Sequence, residues 1–137
     1  ASSNSKGQTI EVVTEILSPF QFIDKNGDLS GYMTEVVQEL FKQTQDVANI
    51  RVLPWARALK TAQMQSDVMI FSIAKTKNRE SRFLWIGEMP SAPVYLWGLV
   101  SQAVKKPFDD LTTLRVATIR GSNVVAYLQN HKFEFVR

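Results

Sequence analysis

Cysteine is absent from the 137 residues, which excludes disulfides, thiolate catalysis and zinc sites built on sulfur, and leaves the compartment undecided. Histidine occurs once, at His131. One imidazole is too few for a histidine metal cluster or a Ser–His relay, so no metal, cofactor or catalytic residue is expected. Six glycines and five prolines are too few for a low-complexity chain. Charge of one sign never accumulates: 16 basic and 13 acidic residues leave a net charge of +3, and no like-charged run exceeds a pair such as Lys105 and Lys106. A phosphate-binding footprint needs clustered Lys and Arg with interleaved aromatics, so nucleic acid is not an expected partner. No apolar run approaches the roughly 20 residues that cross a bilayer as a helix. What remains is a chain that is 45% hydrophobic and 21% charged, long enough to bury one sizeable core. Its start, "ASSNSKGQT", is small and polar, as a mature N-terminus is after signal removal, and suggests export through a cleaved signal peptide.

The stretch "FIDKNGDLSGYMTE", Phe22 to Glu35, alternates acidic and amide residues as a calcium loop does. Counted from Asp24, however, Leu29 stands where the calcium loop needs glycine, and Gly27 falls too early. The stretch reads instead as a hairpin turn at Asn26 and Gly27. Before it, "TIEVVTEI" from Thr9 to Ile16 reads as a strand. After it, "TEVVQELFKQTQ" places Val36, Val37, Leu40 and Phe41 on one helical face, with Thr34 as N-cap. "IRVL" from Ile50 to Leu53 reads as a strand. Pro54 then opens a helix with Trp55, Leu59 and Ala62 on one side. "DVMIF" from Asp67 to Phe71 has the continuous apolar character of a parallel strand. Strand and helix thus alternate, which predicts an α/β fold: an open mixed sheet with crossover helices.

"VYLWGLV" from Val94 to Val100 reads as a further strand, and the polar "SQAVKKPFDD" as a connector. The pattern then restarts with "LRVATI" as a strand, "RGSN" as a turn, "VVAYLQNH" as a helix and "FEFV" as a strand. The expected organisation is lobe 1 over residues 1–100, a hinge or connector over 101–112, and the first βαβ unit of an incomplete lobe 2 over 113–137. One such unit cannot cover both faces of a parallel sheet, so the chain is expected to stop before that lobe does. Its unpaired edges would favour self-association. Met64, Met69 and Met89 read as core filler, and His131 as an exposed residue.

Ligands of open α/β sheets bind outside the carboxyl ends of the strands, where loops and helix N-termini point N–H groups into a crevice. Two segments have that placement: "FSIAKTKNRESRF", with Ser72, Thr76 and Arg79, and "RGSN", with Gly121 and Ser122 opening a helix. Each offers donors to an anion, and a guanidinium can form two parallel hydrogen bonds with a carboxylate.

In order along the chain, these elements resemble the family 3 extracellular solute-binding proteins, the periplasmic receptors of amino-acid ABC transporters, and so a periplasmic-binding-protein-like fold. The resemblance rests on Pro19 and Phe20, on Gly27 and Gly31, on Asp67 to Ile70, on Thr76 and Arg79, on Asp110 and Leu111, and on Gly121 and Ser122. It implies that Arg79 grips a ligand carboxylate and that Ser72 hydrogen-bonds the carboxylate or the amino group. Ser122, with the N–H groups after Gly121, would close from the second lobe. Trp55 could stack on the ligand or lie in the core beneath its helix, and Phe20 could face the ligand or pack the sheet. Ala74 stands where members usually carry Ser or Thr, and Leu17 where some carry a stacking tyrosine. The acid that captures the amino group in the family would lie beyond residue 137. The implied partners are a polar amino acid or similar small carboxylate and an ABC permease of the inner membrane. The same resemblance leaves two other functions open, a ligand-sensing domain of a membrane receptor and a periplasmic dehydratase.

Overall fold

The computed structural model describes residues 7–102 and 108–136. Lys105, Lys106 and the first six residues therefore lie outside the described residues. The chain divides between Phe83 and Leu84 into two compact units.

The first unit is built on β1 (Thr9–Thr14), a β-branched run two residues shorter than the expected strand. Side chains alternate across a strand, yet Val12 and Val13 are both 0% exposed. Both faces of this strand are therefore covered. A short antiparallel hairpin, β2 (Phe22–Ile23) and β3 (Leu29–Ser30), comes next. The chain continues through α1 (Tyr32–Thr44), β4 (Val47–Val52), α2 (Trp55–Met64) and β5 (Val68–Ile70). The sheet order is β4-β1-β5, with β1 in the centre and both pairings parallel. No antiparallel strand joins this sheet among the described residues. Helix α1 lies between the paired strands β1 and β4, as the alternation in the sequence predicts, and α2 carries the chain from the β4 edge of the sheet to the β5 edge.

The hairpin turn is organised by Asp24. Its Oδ1 accepts from the Asn26 and Asp28 N–H groups at 2.8 and 3.0 Å, and its Oδ2 accepts from the Ser30 hydroxyl at 3.0 Å. The acidic spacing thus builds a turn from within. These bonds, the two backbone ones foremost, favour the carboxylate and hold the Asp24 pKa below its ordinary value. A depressed carboxyl pKa adds stability above the unfolded value, about 3.9, and loses it as pH falls through the folded value. Asp24→Ala should therefore cost stability at neutral pH, and its gap from wild type should narrow as urea unfolding is repeated at increasingly acidic pH. A gap that does not change with pH would contradict this account.

Helix α1 begins earlier than its sequence suggests. Gly31 occupies the N-cap, and Thr34 lies inside the first turn, 1% exposed, donating its hydroxyl to the Ser30 carbonyl at 3.1 Å. The earlier start brings Met33 into the helix, so the buried stripe runs through Met33, Val37 and Phe41. Val36 and Leu40, expected on the inner face, remain 44% and 37% exposed. Helix α2 buries Trp55 and Ala58, whereas Met64 is 74% exposed and fills no core.

In the second unit, the expected strand from Val94 to Val100 does not form. Residues 86–99 carry no regular element, and Trp97 and Leu99 are 85% and 67% exposed. Extended backbone becomes a strand only beside a neighbour that takes its N–H and C=O groups, and no described residue pairs with this stretch. The βαβ unit does form, as β6 (Arg115–Ala117), α4 (Asn123–Asn130) and β7 (Glu134–Val136), with β6 and β7 parallel. Leu128 and Phe133 are buried beneath it, and His131 is exposed, stacked on Tyr127 at 4.0 Å.

Candidate ligand-binding site

In the first unit, the candidate side chains gather at the carboxyl ends of the strands. Leu53 N–H donates to the Thr14 carbonyl at 2.8 Å, and the fully buried Thr14 hydroxyl lies 3.4 Å from the Phe71 carbonyl. The ends of β4, β1 and β5 are thereby tied together. β1 is flanked by β4 on one side and β5 on the other, both later in the chain, so the connections run to opposite sides of it, and at such a switch point open α/β sheets leave a crevice.

Residues 71–79 leave β5 along this edge. Ser72 has a left-handed φ of 58° and donates its hydroxyl to Gln21 Oε1 at 2.7 Å. Thr76 caps the single turn of α3 (Lys77–Glu80) through its carbonyl, which accepts from the Arg79 and Glu80 N–H groups at 2.9 Å. That turn folds Arg79 back into the protein. Only 8% of Arg79 is exposed; its Nη1 donates to the Ala74 carbonyl at 3.1 Å, and its guanidinium lies 5.5 Å from the centre of the Trp55 ring. Burial lowers the Arg79 pKa, but a guanidinium keeps its charge at any physiological pH. Trp55, the first residue of α2, is 6% exposed, so its ring supports Arg79 from inside the fold through a cation–π contact. Ala74, which has no hydroxyl to offer, contributes its backbone carbonyl to Arg79.

The loop from Ile16 to Gln21 borders the same edge. Leu17 and Gln21 form a bridge, with Leu17 N–H to the Gln21 carbonyl at 2.9 Å and the return bond at 3.1 Å. This turn swings Gln21 inward until it is 0% exposed. Phe20 is half-buried, and its carbonyl accepts from Met33 N–H at 2.8 Å. The second unit holds its own donors. Gly121 takes a φ of 77°, and Ser122 Oγ accepts from Val124 N–H at 3.2 Å as the N-cap of α4. The cap uses a lone pair of Ser122 and leaves its proton for another acceptor.

Arg79 thus meets Trp55, and Ser72 meets Gln21, within one unit, while Gly121 and Ser122 form a separate helix opening. Sequence reasoning missed Gln21 and Glu15. Gln21 was signalled by a polar residue set between Phe20 and Phe22. Glu15 directly follows the central strand β1 and is partly buried. Burial raises the pKa of its carboxyl. A raised pKa favours the folded state below the unfolded value of about 4.3, and this contribution is lost as pH rises through the folded value. Glu15→Gln should therefore raise Tm at neutral pH and change it little near pH ~4. Thermal unfolding at both pH values checks this, and a lower Tm at neutral pH would count against it. A shallow depression on α1, lined by Tyr32, Glu35, Val36, Glu39, Leu40 and Gln43, contains none of these groups.

The first unit is thus a parallel α/β sheet with a buried guanidinium and a hydroxyl beyond its strand ends. Residues 10–96 match the bacterial extracellular solute-binding proteins, family 3, and the chain belongs to that family. It is similar to the L-cystine-binding protein TcyK of Bacillus subtilis, 29% identical over 126 residues, which cover 89% of this chain and 47% of that protein. A structure described as a putative L-cystine ABC transporter from Listeria monocytogenes aligns with TM-score 0.68 and 26% identity, over 94% of this chain and 59% of that one. The Salmonella typhimurium periplasmic binding protein described for its high arginine specificity aligns with TM-score 0.71 and 19% identity, over 95% and 59% of the two chains, a likeness of fold. The chain thus spans about half the length of the curated relative and three fifths of the solved structures.

Proposed function

We propose that this protein is the solute-binding component of an ABC transporter, working in the periplasm and delivering an amino acid of the cystine type to a membrane permease. The observation that carries the proposal is Arg79, buried at the carboxyl end of β5 and oriented by the Ala74 carbonyl and the Trp55 ring. A guanidinium so placed suits a carboxylate, whose two oxygens match its N–H fork. Ser72 supplies a polar contact beside it, and Glu15 stands where a cationic group of the solute would be favoured. Phe20 and Thr76 border the same edge. Ser122 and the N–H groups after Gly121 would add contacts from the second lobe. Contacts made from both lobes only in the closed state would bias the protein toward closure when solute is bound. The names of the cystine-binding relatives support the choice of solute class.

A thermal-shift screen of the full-length gene product against L-cystine, L-arginine, L-glutamine and small organic acids tests the reading. A solute at about 100 times its Kd adds roughly 2.7 kcal/mol of stability. A shift with cystine at low concentration is the expected result; no shift with any carboxylate would overturn it.

A further inference from the structure

Gln21 has no role in the reading above, yet its side chain is hydrogen-bonded to a candidate ligand-binding hydroxyl, that of Ser72. Gln21 is 0% exposed. Its Oε1 takes the Ser72 proton at 2.7 Å, while its Nε2 is buried without a hydrogen-bond partner among the described residues. An orphaned buried amide is costly. Its retention at this spot is understandable if the acceptor oxygen is needed. A serine hydroxyl has one proton and two lone pairs. Once Gln21 holds the proton, Ser72 can offer a ligand only lone pairs, and so can only accept.

We propose that Gln21 is a positioning residue that fixes the hydrogen-bond polarity of Ser72, making this position selective for an ammonium donor and unwelcoming to a carboxylate oxygen. Carboxylate and ammonium are thereby sorted between two neighbouring groups, Arg79 for the anion and Ser72 for the cation. The left-handed backbone at Ser72, with φ 58°, helps to hold the hydroxyl at Gln21. A ligand that lacks its amino group loses this contact. The inference rests on the proposed solute class and adds to it the residue that enforces the distinction.

The test compares L-cystine with 3,3′-dithiodipropionate, the same disulfide diacid without amino groups, by isothermal titration calorimetry on the full-length protein. Wild type is expected to prefer cystine strongly. In Gln21→Leu the Ser72 hydroxyl is free to turn and donate, so the preference should fall by about tenfold or more, the effect of one charge-assisted hydrogen bond. In a Ser72→Ala background, Gln21→Leu should leave the preference unchanged, because Gln21 acts only through that hydroxyl. Gln21→Met serves if the leucine variant does not fold. An unchanged preference in the folded Gln21 variant, with wild-type cystine binding intact, overturns the inference alone. Equal affinity of wild type for the two diacids also overturns it and leaves carboxylate capture standing. A wild type that binds neither compound overturns the solute class, and this inference with it.

Discussion

Arg79→Ala is expected to weaken solute binding by about two orders of magnitude or more. Truncating one partner of a buried, hydrogen-bonded charge pair costs about 2–5 kcal/mol, and about 1.4 kcal/mol is a factor of ten in affinity. The guanidinium is already oriented by the Ala74 carbonyl and the Trp55 ring, so little ordering is left for the ligand to impose. Arg79→Lys should recover only part of the affinity, because a point-like ammonium cannot reproduce the planar fork. Stability should change much less than affinity. The contacts the variant loses include the cation–π contact with Trp55 and the hydrogen bond to the Ala74 carbonyl, but the substitution also relieves the desolvation of a buried charge. Calorimetric titration with cystine, alongside urea unfolding of the same samples, separates the two effects. Full-strength binding by Arg79→Ala would remove the central element of the proposed function.

The second large effect is expected far from any charge. Gly31→Ala should destabilise the protein by about 3 kcal/mol or more, from a backbone penalty of roughly 1–3 kcal/mol and a steric clash added to it. Gly31 has φ 112° and ψ 165°, a region open essentially to glycine alone. A Cβ there would lie 2.6 Å from the Phe20 carbonyl oxygen and 2.9 Å from that of Pro19. These are backbone atoms, and the Phe20 carbonyl is held in place by Met33 N–H at 2.8 Å. Any relief therefore moves the loop that carries Phe20 and Gln21, so surviving folded protein should also bind solute less well. Gly27 is the control. It also has a positive φ, 87°, but open space surrounds its Cβ position, so Gly27→Ala should cost only about 1–2 kcal/mol. Chemical unfolding of both variants decides the matter. Equal, small losses would mean that the close approach at Gly31 is not a constraint.

Much of this arrangement is legible in the sequence because its causes are local. Alternating β-branched runs and amphipathic stretches are read from residues close in the chain, and they place β1, α1, β4, α2, β5 and the final βαβ unit. Glycine and asparagine after Asp24 mark the hairpin by the φ values they allow. The order of short motifs, from Pro19 and Phe20 to Gly121 and Ser122, is enough to point to the family that residues 10–96 match. Pattern alone misplaces what depends on neighbours. Val36 and Leu40 look like core until Met33 joins the helix and rotates the buried stripe away from them. Val94 to Val100 looks like a strand but lacks a pairing partner among the described residues.

The site shows the same division. The sequence by itself determined that Arg79 and Ser72 follow a strand, because strand ends and turns are set by the residues beside them. Only the tertiary structure decided that Arg79 lies against Trp55, and that Ser72 gives its proton to Gln21, 51 positions away. Parallel pairing brings these residues together through the register of β1 with β4 and β5. That register depends on which faces are buried across the whole sheet, a property that no short stretch of chain contains.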